Sequence, residues 1–365
     1  MNFSEFDYDC MASALRLARQ GLETTHPNPR VGCVIARDEE VTGKGWHKKA
    51  GEPHAEIYAL REAGDRAAGG TAYVTLEPCG HTGRTPPCVD ALISAKIARV
   101  IFAVGDPNPE VNGSGSESLK QAGIDVQSGL MATEAEALNA GFFKRMRHGL
   151  PWVRIKLAQS MDGHIALSNG SSQWISGPES RADVQRWRSR SDAILTGIGT
   201  VLADNPSLNV RIGDADLQPA RVIVDSQWRT PVSAKLLSLP GQVLIAGLQD
   251  TQVPQELSNS GAHCMEMPPS NRGVDLKAVM QELARRGINE VQVEAGATLC
   301  GSLIEEGLVD ELLIYQAPVV LGGNAVSPFM LPRLDNMDDR VHLDWVDSRI
   351  IGKDLRLRLK PVRPD

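Results

Sequence analysis

The segments Gly51-Glu-Pro-His54-Ala-Glu56 and Leu76-Glu-Pro-Cys79, followed by Pro86-Pro-Cys88, place one imidazole and two thiols close together in the chain. Zinc prefers these donors, and a catalytic zinc uses three protein ligands and keeps a fourth position for water. Each donor lies where a loop or strand leads into a predicted helix, whose free N–H groups favour the thiolate form of cysteine. We therefore predict a catalytic zinc site formed by His54, Cys79 and Cys88.

Glu56 lies two residues after His54 and is not needed as a metal ligand. A carboxylate in that position can take a proton from water and pass it to a departing amine. A His-x-Glu segment followed by Pro-Cys and a second cysteine is the signature of zinc deaminases. These residues predict a hydrolytic deaminase in which Glu56 is the catalytic acid and base.

The spacing of the two cysteines departs from the short form of this signature, because eight residues separate Cys79 from Cys88. The insert is polar and basic, which favours a pocket for a phosphate group, with Arg84 and Thr85 as candidate contacts. Ordinary buried thiols at Cys79 and Cys88 are one alternative interpretation, and a structural zinc with His81 as a fourth ligand is another. It would leave Glu56 without a role.

Around these segments the chain predicts one layered α/β domain, in the order αββαβαβ followed by helices. The expected helices cover residues 54–68 and 87–95 after an N-terminal helix capped at Ser4, and the expected strands cover 31–36, 40–46, 71–76 and 99–104. A basic run, Lys144 to His148, precedes Gly149 and Pro151. It marks the predicted boundary between domains at 1–148 and 149–365.

Beyond this boundary, strands and helices alternate, which predicts a second α/β domain with its own core. Strands fit residues 152–158, 193–196, 221–225, 243–246, 290–294 and 311–317, and helices fit 179–190, 275–286 and 299–306.

The composition is that of a globular protein large enough for two cores, with 365 residues, 42% of them hydrophobic. The formal net charge of -7 gives no overall basis for nucleic-acid binding. No apolar run approaches the roughly 20 residues of a membrane span, and the opening segment carries no apolar signal region. Six cysteines in a chain of this length do not form a disulfide framework, so we expect a cytoplasmic protein.

Two glycine turns in the second domain are candidate phosphate sites. Gly197 and Gly199 imitate a Rossmann fingerprint, but Leu202 occupies the position of its third glycine. The segment 294–302 ends a predicted strand and opens a helix, whose free N–H groups can hold a pyrophosphate. We favour this second turn, and a plain strand–helix connection is the alternative.

The chain resembles the bifunctional deaminase/reductase family of riboflavin biosynthesis. The resemblance covers nearly the whole chain. Its motifs are Thr25-His-Pro-Asn-Pro29, Gly51-Glu-Pro-His-Ala-Glu56, Thr75-Leu-Glu-Pro-Cys79, Gly83-Arg-Thr-Pro-Pro-Cys88, Asp106-Pro-Asn-Pro109, Lys156-Leu-Ala-Gln-Ser-Met-Asp-Gly163, Gln173-Trp-Ile-Ser176, Thr200-Val-Leu-Ala-Asp204 and Glu294-Ala-Gly-Ala-Thr-Leu299.

The resemblance implies a cytidine-deaminase-like three-layer α/β/α domain followed by a dihydrofolate-reductase-like α/β domain. The first would use one zinc ion to deaminate 2,5-diamino-6-(5-phosphoribosylamino)pyrimidin-4-one. The second would use NADPH to reduce the ribosyl chain of 5-amino-6-(5-phosphoribosylamino)uracil to ribityl. The partners would be small phosphorylated pyrimidines, with no nucleic acid and no membrane, and family members are often homo-oligomers.

The resemblance also implies the site residues. The deaminase substrate would contact Asn28, His47, Arg84, Thr85, Asp106 and Asn108. NADPH would contact Ala158, Trp174, Thr200, Asp204, Ser226, Gly296, Ala297, Thr298, Leu299, Cys300, Gly301 and Ser302. The reductase substrate would contact Ser172, Arg188, Leu208, Arg211 and Glu294.

The chemistry of several of these residues agrees with the implied roles. The Asn28 amide can interact with a pyrimidine edge, and Arg188 and Arg211 suit a phosphate. Turn formation by Asp106 and Asn108, a structural role for His47 and solvated surface arginines are the alternatives. The reductase also needs a proton donor, and Lys156 and Glu294 are both candidates.

The residues alone are also compatible with two other classes of protein. A nucleic-acid or nucleoside deaminase with an accessory nucleotide-binding domain would share the zinc and Glu56 chemistry. The net charge, the 4% aromatic content and the long insert between the cysteines count against it. A zinc-stabilised scaffold without activity would need an incomplete site, whereas every deaminase group is present.

Overall fold

The computed structural model describes residues 3–80, 87–108, 113–212 and 217–362. It divides into two compact units, Met1–Gly149 and Leu150–Asp365. The division falls one residue after the predicted boundary, because Gly149 caps the last helix of the first unit with a φ of 65°.

The N-terminal unit alternates helices and strands around one sheet. Its helices are α1 (Glu5–Ala18), α2 (Ala55–Ala63), α3 (Cys88–Ser94), α4 (Ser114–Gln121), α5 (Ala132–Leu138) and α6 (Ala140–His148). Its strands are β1 (Gly32–Arg37), β2 (Glu40–Trp46), β3 (Thr71–Val74), β4 (Arg99–Phe102) and β5 (Asp125–Ser128).

The strands of this unit lie in the order β2-β1-β3-β4-β5, with β1 antiparallel to β2 and β3, and with β3, β4 and β5 parallel. One face of the sheet packs its apolar side chains against α2, α3 and α4. The other face packs against α1 and α5. The predicted three-layer α/β/α architecture is confirmed.

Helix α2 lies unusually close to the sheet, because glycines in β2 leave room for its backbone. A Cβ atom added at Gly45 would lie 2.2 Å from the carbonyl oxygen of Ala55, and one at Gly43 would lie 2.2 Å from that of Ala59. His54 caps this helix and Glu56 lies in its first turn. The close approach therefore fixes the height of both residues above the sheet.

The C-terminal unit is built around a larger sheet. Its strands are β6 (Trp152–Gln159), β7 (Ala193–Gly197), β8 (Ala220–Val224), β9 (Val243–Leu248), β10 (His263–Met267), β11 (Pro269–Ser270), β12 (Gly273–Val274), β13 (Glu290–Val293), β14 (Glu311–Gln316), β15 (Leu343–Ile351) and β16 (Asp354–Pro361). Its helices are α7 (Pro178–Ser189), α8 (Ile198–Asp204), α9 (Gln255–Ser258), α10 (Leu276–Arg285) and α11 (Ala297–Glu305).

The large sheet has the order β10-β9-β8-β7-β13-β6-β14-β16-β15. The strands from β10 to β14 pair in parallel, and β16 and β15 add an antiparallel hairpin at one edge. The carboxyl ends of β6, β7, β8 and β13 therefore lie along one edge of the sheet, where α/β folds form their sites. A separate pair joins β11 and β12.

Several features of the structure differ from the sequence-based expectation, among them the following three. The helix expected over residues 54–68 ends at Ala63 and continues only as a 3₁₀ turn, Gly64–Ala67. Strand β5 was not predicted, because it is polar and only partly buried at the sheet edge. The hairpin of β15 and β16 was also missed, although Leu355, Leu357 and Leu359 alternate with basic residues at strand spacing.

The contact between β2 and α2 predicts the effect of Gly45→Ala. The added methyl group must displace the backbone of α2, so we expect about 1–3 kcal/mol of destabilisation of the N-terminal unit. Hydrogen exchange of the β1 and β2 amides under increasing urea measures this. Gly105→Ala is the control, because its Cβ would meet only a Glu77 carboxylate oxygen at 3.7 Å. Equal exchange in wild type and Gly45→Ala would contradict the packing argument.

Candidate functional site

Three elements of the N-terminal unit bring the predicted metal ligands together. His54 is the N-cap of α2, Cys79 lies in the loop after β3, and Cys88 begins α3. The ligand atoms of these three residues all lie within 4.8 Å of one another. The Nδ1 atom of His54 lies 3.0 Å from Sγ of Cys88 and 3.6 Å from Sγ of Cys79.

The charges of this cluster fit a divalent cation. The hydrogen bond with Cys88 lowers the pKa of Cys79 to about 4, and the same contact with the Cys79 thiolate raises the pKa of Cys88. A divalent cation offsets the repulsion between two thiolates, and the set of one imidazole and two thiolates is one that zinc prefers.

Glu56 lies in the first turn of α2 and is 3% exposed. Burial raises the pKa of the Glu56 carboxyl group, and the Glu56 side chain also contacts Cys88. A buried carboxylate next to the three ligands, and not among them, is placed to exchange protons with a molecule at the metal.

Asn28 and His47 form a connected pair beside these residues. The ring of His47 is buried and lies edge-on to the ring of His54, with 5.3 Å between the centroids. Its Nδ1 lies 3.2 Å from the Pro53 carbonyl oxygen and its Nε2 lies 3.1 Å from Nδ2 of Asn28. Burial lowers the pKa of His47, which favours the neutral ring. Because the Pro53 carbonyl can only accept, Nδ1 carries the proton and donates a hydrogen bond to it, and Nε2 is left as an acceptor.

This tautomer fixes the amide of Asn28. Because Nδ2 of Asn28 donates to His47, its Oδ1 atom points the other way and can accept a hydrogen bond from a ligand. Both ring nitrogens of His47 have protein partners, so His47 orients Asn28 in this structure.

Of the other residues predicted for the deaminase substrate, Asp106 and Asn108 lie within the described part of the chain, and two lie outside it. Asp106 is 9% exposed and its Oδ1 accepts from the Asn108 backbone N–H at 2.9 Å, which is the turn chemistry named as the alternative to substrate binding. Arg84 and Thr85, and the alternative ligand His81, lie outside the described residues.

In the C-terminal unit a cavity of about 980 Å³ opens at the carboxyl ends of the central strands. Most of the residues predicted for the cofactor and the reductase substrate line it. They are Lys156, Ala158, Ser172, Trp174, Arg188, Thr200, Asp204, Leu208, Arg211, Ser226, Glu294, Gly296, Ala297, Thr298, Leu299 and Ser302. Trp174 is 70% exposed, and the Arg181 guanidinium lies 4.7 Å from its ring centroid.

The start of α11 fits the pyrophosphate of a dinucleotide. The helix begins after Gly296 directly at the cavity, and no side chain of the described residues caps its first turn. Its first N–H groups can therefore bind an anion. Cys300 and Gly301, also predicted for the cofactor, do not line the cavity. The Cys300 side chain is in the core, and Gly301 packs against the Met330 backbone.

A charged cluster lies on the floor of this cavity. Arg188 donates from Nε and Nη2 to the two carboxylate oxygens of Glu294, at 2.7 and 2.8 Å. Its Nη1 donates to the Asn209 carbonyl oxygen at 3.0 Å. The Nε and Nη2 donors of Arg188, which we expected to bind a substrate phosphate, thus bind Glu294.

The cluster separates the two candidate proton donors. Burial would raise the pKa of Glu294, but the adjacent Arg188 holds it at about 2. Burial lowers the pKa of Lys156, although Glu294 acts in the opposite direction. At neutral pH Glu294 is ionised and has no proton to donate, which leaves Lys156 as the remaining candidate.

Comparison with known proteins identifies the family of both units. A family described as the cytidine and deoxycytidylate deaminase zinc-binding region matches residues 4–104, and one described as the RibD C-terminal domain matches residues 151–357. The riboflavin biosynthesis protein RibD of Escherichia coli K12 is 47% identical over 96% of this chain and 98% of its own length. The chain belongs to the RibD family.

Other RibD proteins show the same extent of similarity. RibD of Haemophilus influenzae is 45% identical over 99% of both chains. The structure of Acinetobacter baumannii RibD superposes with a TM-score of 0.92 at 45% identity, covering 98% of this chain and 99% of that one. A Thermotoga maritima deaminase/reductase structure superposes with a TM-score of 0.86 at 28% identity over the same shares.

Membership in the RibD family confirms the predicted fold and the predicted bifunctional enzyme of riboflavin biosynthesis, with a deaminase and a reductase domain. It also confirms zinc for the first domain and NADPH for the second. The alternative of a nucleic-acid deaminase with an accessory domain is set aside, because the match to RibD runs through both domains. None of the described helices is long and apolar enough to cross a membrane.

Several residues at the RibD sites were not identified from the sequence. Gln292 is fully buried and donates from Nε2 to Glu294 at 2.8 Å, and its place two residues before Glu294 on β13 was the available signal. Arg181, Arg229, Lys235 and Arg272 also line the reductase cavity. Their positions depend on loop geometry that periodicity does not show.

Proposed function

We propose that the N-terminal unit hydrolyses the 2-amino group of 2,5-diamino-6-(5-phosphoribosylamino)pyrimidin-4-one. The C-terminal unit then reduces the ribosyl chain of 5-amino-6-(5-phosphoribosylamino)uracil to ribityl with NADPH. The observation that carries the proposal is the convergence of His54, Cys79 and Cys88 beside the buried Glu56. The Thermotoga maritima relative, named as the deaminase and reductase of these compounds, supports it.

In the deaminase site, His54, Cys79 and Cys88 would hold zinc. Zinc, when bound, lowers the pKa of water so that hydroxide forms near neutral pH. The Glu56 carboxylate accepts the proton that this water loses and then donates a proton to the amine, which leaves as ammonia. Asn28 would present its Oδ1 to an N–H on the pyrimidine edge, and Asp106 and Asn108 would bind the same substrate.

In the reductase site, NADPH would lie along the cavity with its pyrophosphate at the start of α11, and it supplies the hydride when bound. Reduction at C1′ of the opened sugar or its imine also consumes one proton, at the oxygen or the nitrogen. We assign this proton to Nζ of Lys156, because the neighbouring Glu294 is held ionised by Arg188. Arg211, which is exposed on the cavity wall, would contact the substrate phosphate.

We also propose that the protein acts in the cytoplasm on small phosphorylated pyrimidines, without nucleic acid or membrane, and as a homo-oligomer. The edge strand β15 supports association, because it exposes Trp345 by 68% and Ile350 by 78%. Long apolar edge strands are surfaces on which a second copy can pair. Sedimentation velocity at micromolar concentration should show a species heavier than one chain, and a monomer alone would contradict this.

The role of Glu56 is tested with zinc-loaded protein supplied with the diaminopyrimidine substrate, while ammonia release and NADPH oxidation are recorded together. Wild type should release ammonia first and then oxidise NADPH. Glu56→Gln should slow ammonia release by about a hundredfold or more, because the proton acceptor is lost. It should keep one zinc per chain, whereas Cys88→Ser should lose the metal.

The reductase activity of the same chain is the internal control for this experiment. Supplied with the deaminated product, Glu56→Gln should oxidise NADPH at the wild-type rate. Unchanged ammonia release from Glu56→Gln would contradict the assignment of Glu56. Absence of both signals from zinc-loaded wild type would contradict the proposed substrate.

Lys156→Met should slow NADPH oxidation by about a hundredfold, because the proton donor is removed. Lys156→Arg distinguishes a proton donor from a fixed positive charge, since arginine keeps its charge but does not release its proton. We expect both variants to be slow, to bind NADPH with near wild-type affinity in a fluorescence titration, and to release ammonia normally. A wild-type rate in Lys156→Arg would show that only the charge matters.

A further inference from the structure

Glu77 is a buried carboxylate that the deaminase chemistry described above does not use. It lies two residues before the ligand Cys79 and is 5% exposed. Its Oε2 accepts from the backbone N–H groups of Asp106 at 3.4 Å and Gly113 at 3.2 Å, and its Oε1 accepts from that of Ser116 at 3.0 Å. Both oxygens are therefore directed at the segment that follows β4.

No cation of the described residues pairs with Glu77, so these N–H groups compensate its burial. A buried carboxylate is costly unless hydrogen bonds replace its hydration, and bonds to an ionised acceptor are stronger than neutral ones. The three donors come from both sides of the loop after β4 and from the first turn of α4. One side chain thus holds together two segments that are distant in sequence.

The same two segments also meet through their backbones. The Glu77 N–H donates to the Val104 carbonyl oxygen at 2.9 Å. A Cβ atom added at Gly115 would lie 1.8 Å from the Pro78 carbonyl oxygen, so only glycine allows this approach. The ligand segment 77–80 is therefore fixed against the start of α4 and against the loop that carries Asp106.

We propose that Glu77 is a positioning residue of the deaminase, which sets the distance between the metal ligand Cys79 and the substrate loop at Asp106 and Asn108. The inference rests on the proposed function of the N-terminal unit. Asp106 donates its backbone N–H to Glu77, and its carboxylate orders Asn108 through a 2.9 Å hydrogen bond. Glu77 thereby acts on substrate binding without touching the substrate.

Glu77→Gln tests the proposal with little change of shape. Because both carboxylate oxygens accept from N–H groups, either orientation of the amide places an NH₂ group against at least one donor. The loop after β4 is then released while the ligands stay unaltered. The test compares ammonia release, zinc content and amide hydrogen exchange in the full-length, zinc-loaded protein.

We expect the KM of Glu77→Gln for the diaminopyrimidine substrate to rise by about tenfold or more, the loss corresponding to about 1.4 kcal/mol or more. The kcat should stay near that of wild type, with one zinc per chain and unchanged NADPH oxidation on the deaminated product. The amides of Asp106, Gly113 and Ser116 should exchange faster. A role limited to general stability would not single out these three amides or raise KM alone.

Glu62→Gln is the matched control. Glu62 is an exposed glutamate of the same unit whose Oε2 accepts from the Lys44 backbone N–H at 3.1 Å. The same change of charge there should leave KM and the exchange of the three amides unaltered. An equal rise of KM in both variants would overturn the proposal, because it would assign the effect to net charge.

A wild-type KM with unchanged exchange in Glu77→Gln would also overturn the proposal, as would loss of zinc at unchanged KM.

If Glu77→Gln does not fold, two other measurements still test the proposal. The three amides should be protected in wild type, and Gly115→Ala should raise KM because it forces the same segments apart. Unprotected amides or a wild-type KM in Gly115→Ala would overturn the proposal. If wild type releases no ammonia, the proposed function fails, whereas amide exchange still tests the Glu77 contact.

Discussion

The convergence of two cysteine sulfurs on one imidazole nitrogen is the constraint around which the N-terminal unit is organised. The three donors come from the start of α2, the loop after β3 and the start of α3. They can meet only if both helices lie on one side of the sheet at a fixed height. Glycines in β2 allow the approach of α2, and the Glu77 carboxylate connects the ligand segment to the next loop. Much of this unit therefore supports one charge-balanced cluster.

The C-terminal unit solves a different electrostatic problem at the carboxyl ends of its parallel strands. Its cavity must bind anionic molecules and also contain a group that donates a proton. Arg188 and Glu294 neutralise each other through two hydrogen bonds, and this contact lowers the pKa of Glu294. Lys156 is left partly buried beside an ionised carboxylate. The ion pair thus keeps Glu294 ionised and supports the proposal that Lys156 carries the exchangeable proton.

The sequence was sufficient for the parts that depend on local pattern and on short motifs. The grouping of His54, Cys79 and Cys88 beside Glu56, and the α/β fold of the two units, follow from residue type and spacing. The role of Glu77 could not follow, because its partners lie about 30 to 40 residues away in loops. The direction of Arg188 toward Glu294 is also a tertiary contact, across 106 residues of chain. Strand β5 was missed because polar edge strands lack the alternation on which such predictions rely.

Trp174 gives the reductase cavity an optical property. This indole is 70% exposed, lines the cavity and lies against the Arg181 guanidinium. Reduced nicotinamide absorbs in the spectral range in which tryptophan emits, so excitation energy passes to a nearby dinucleotide. Trp187 and Trp228, in contrast, are buried at 7% and 4% exposure and do not line the cavity. Occupancy of the site by reduced nicotinamide can therefore be followed in unlabelled protein by sensitised emission, which ends when the nicotinamide is oxidised.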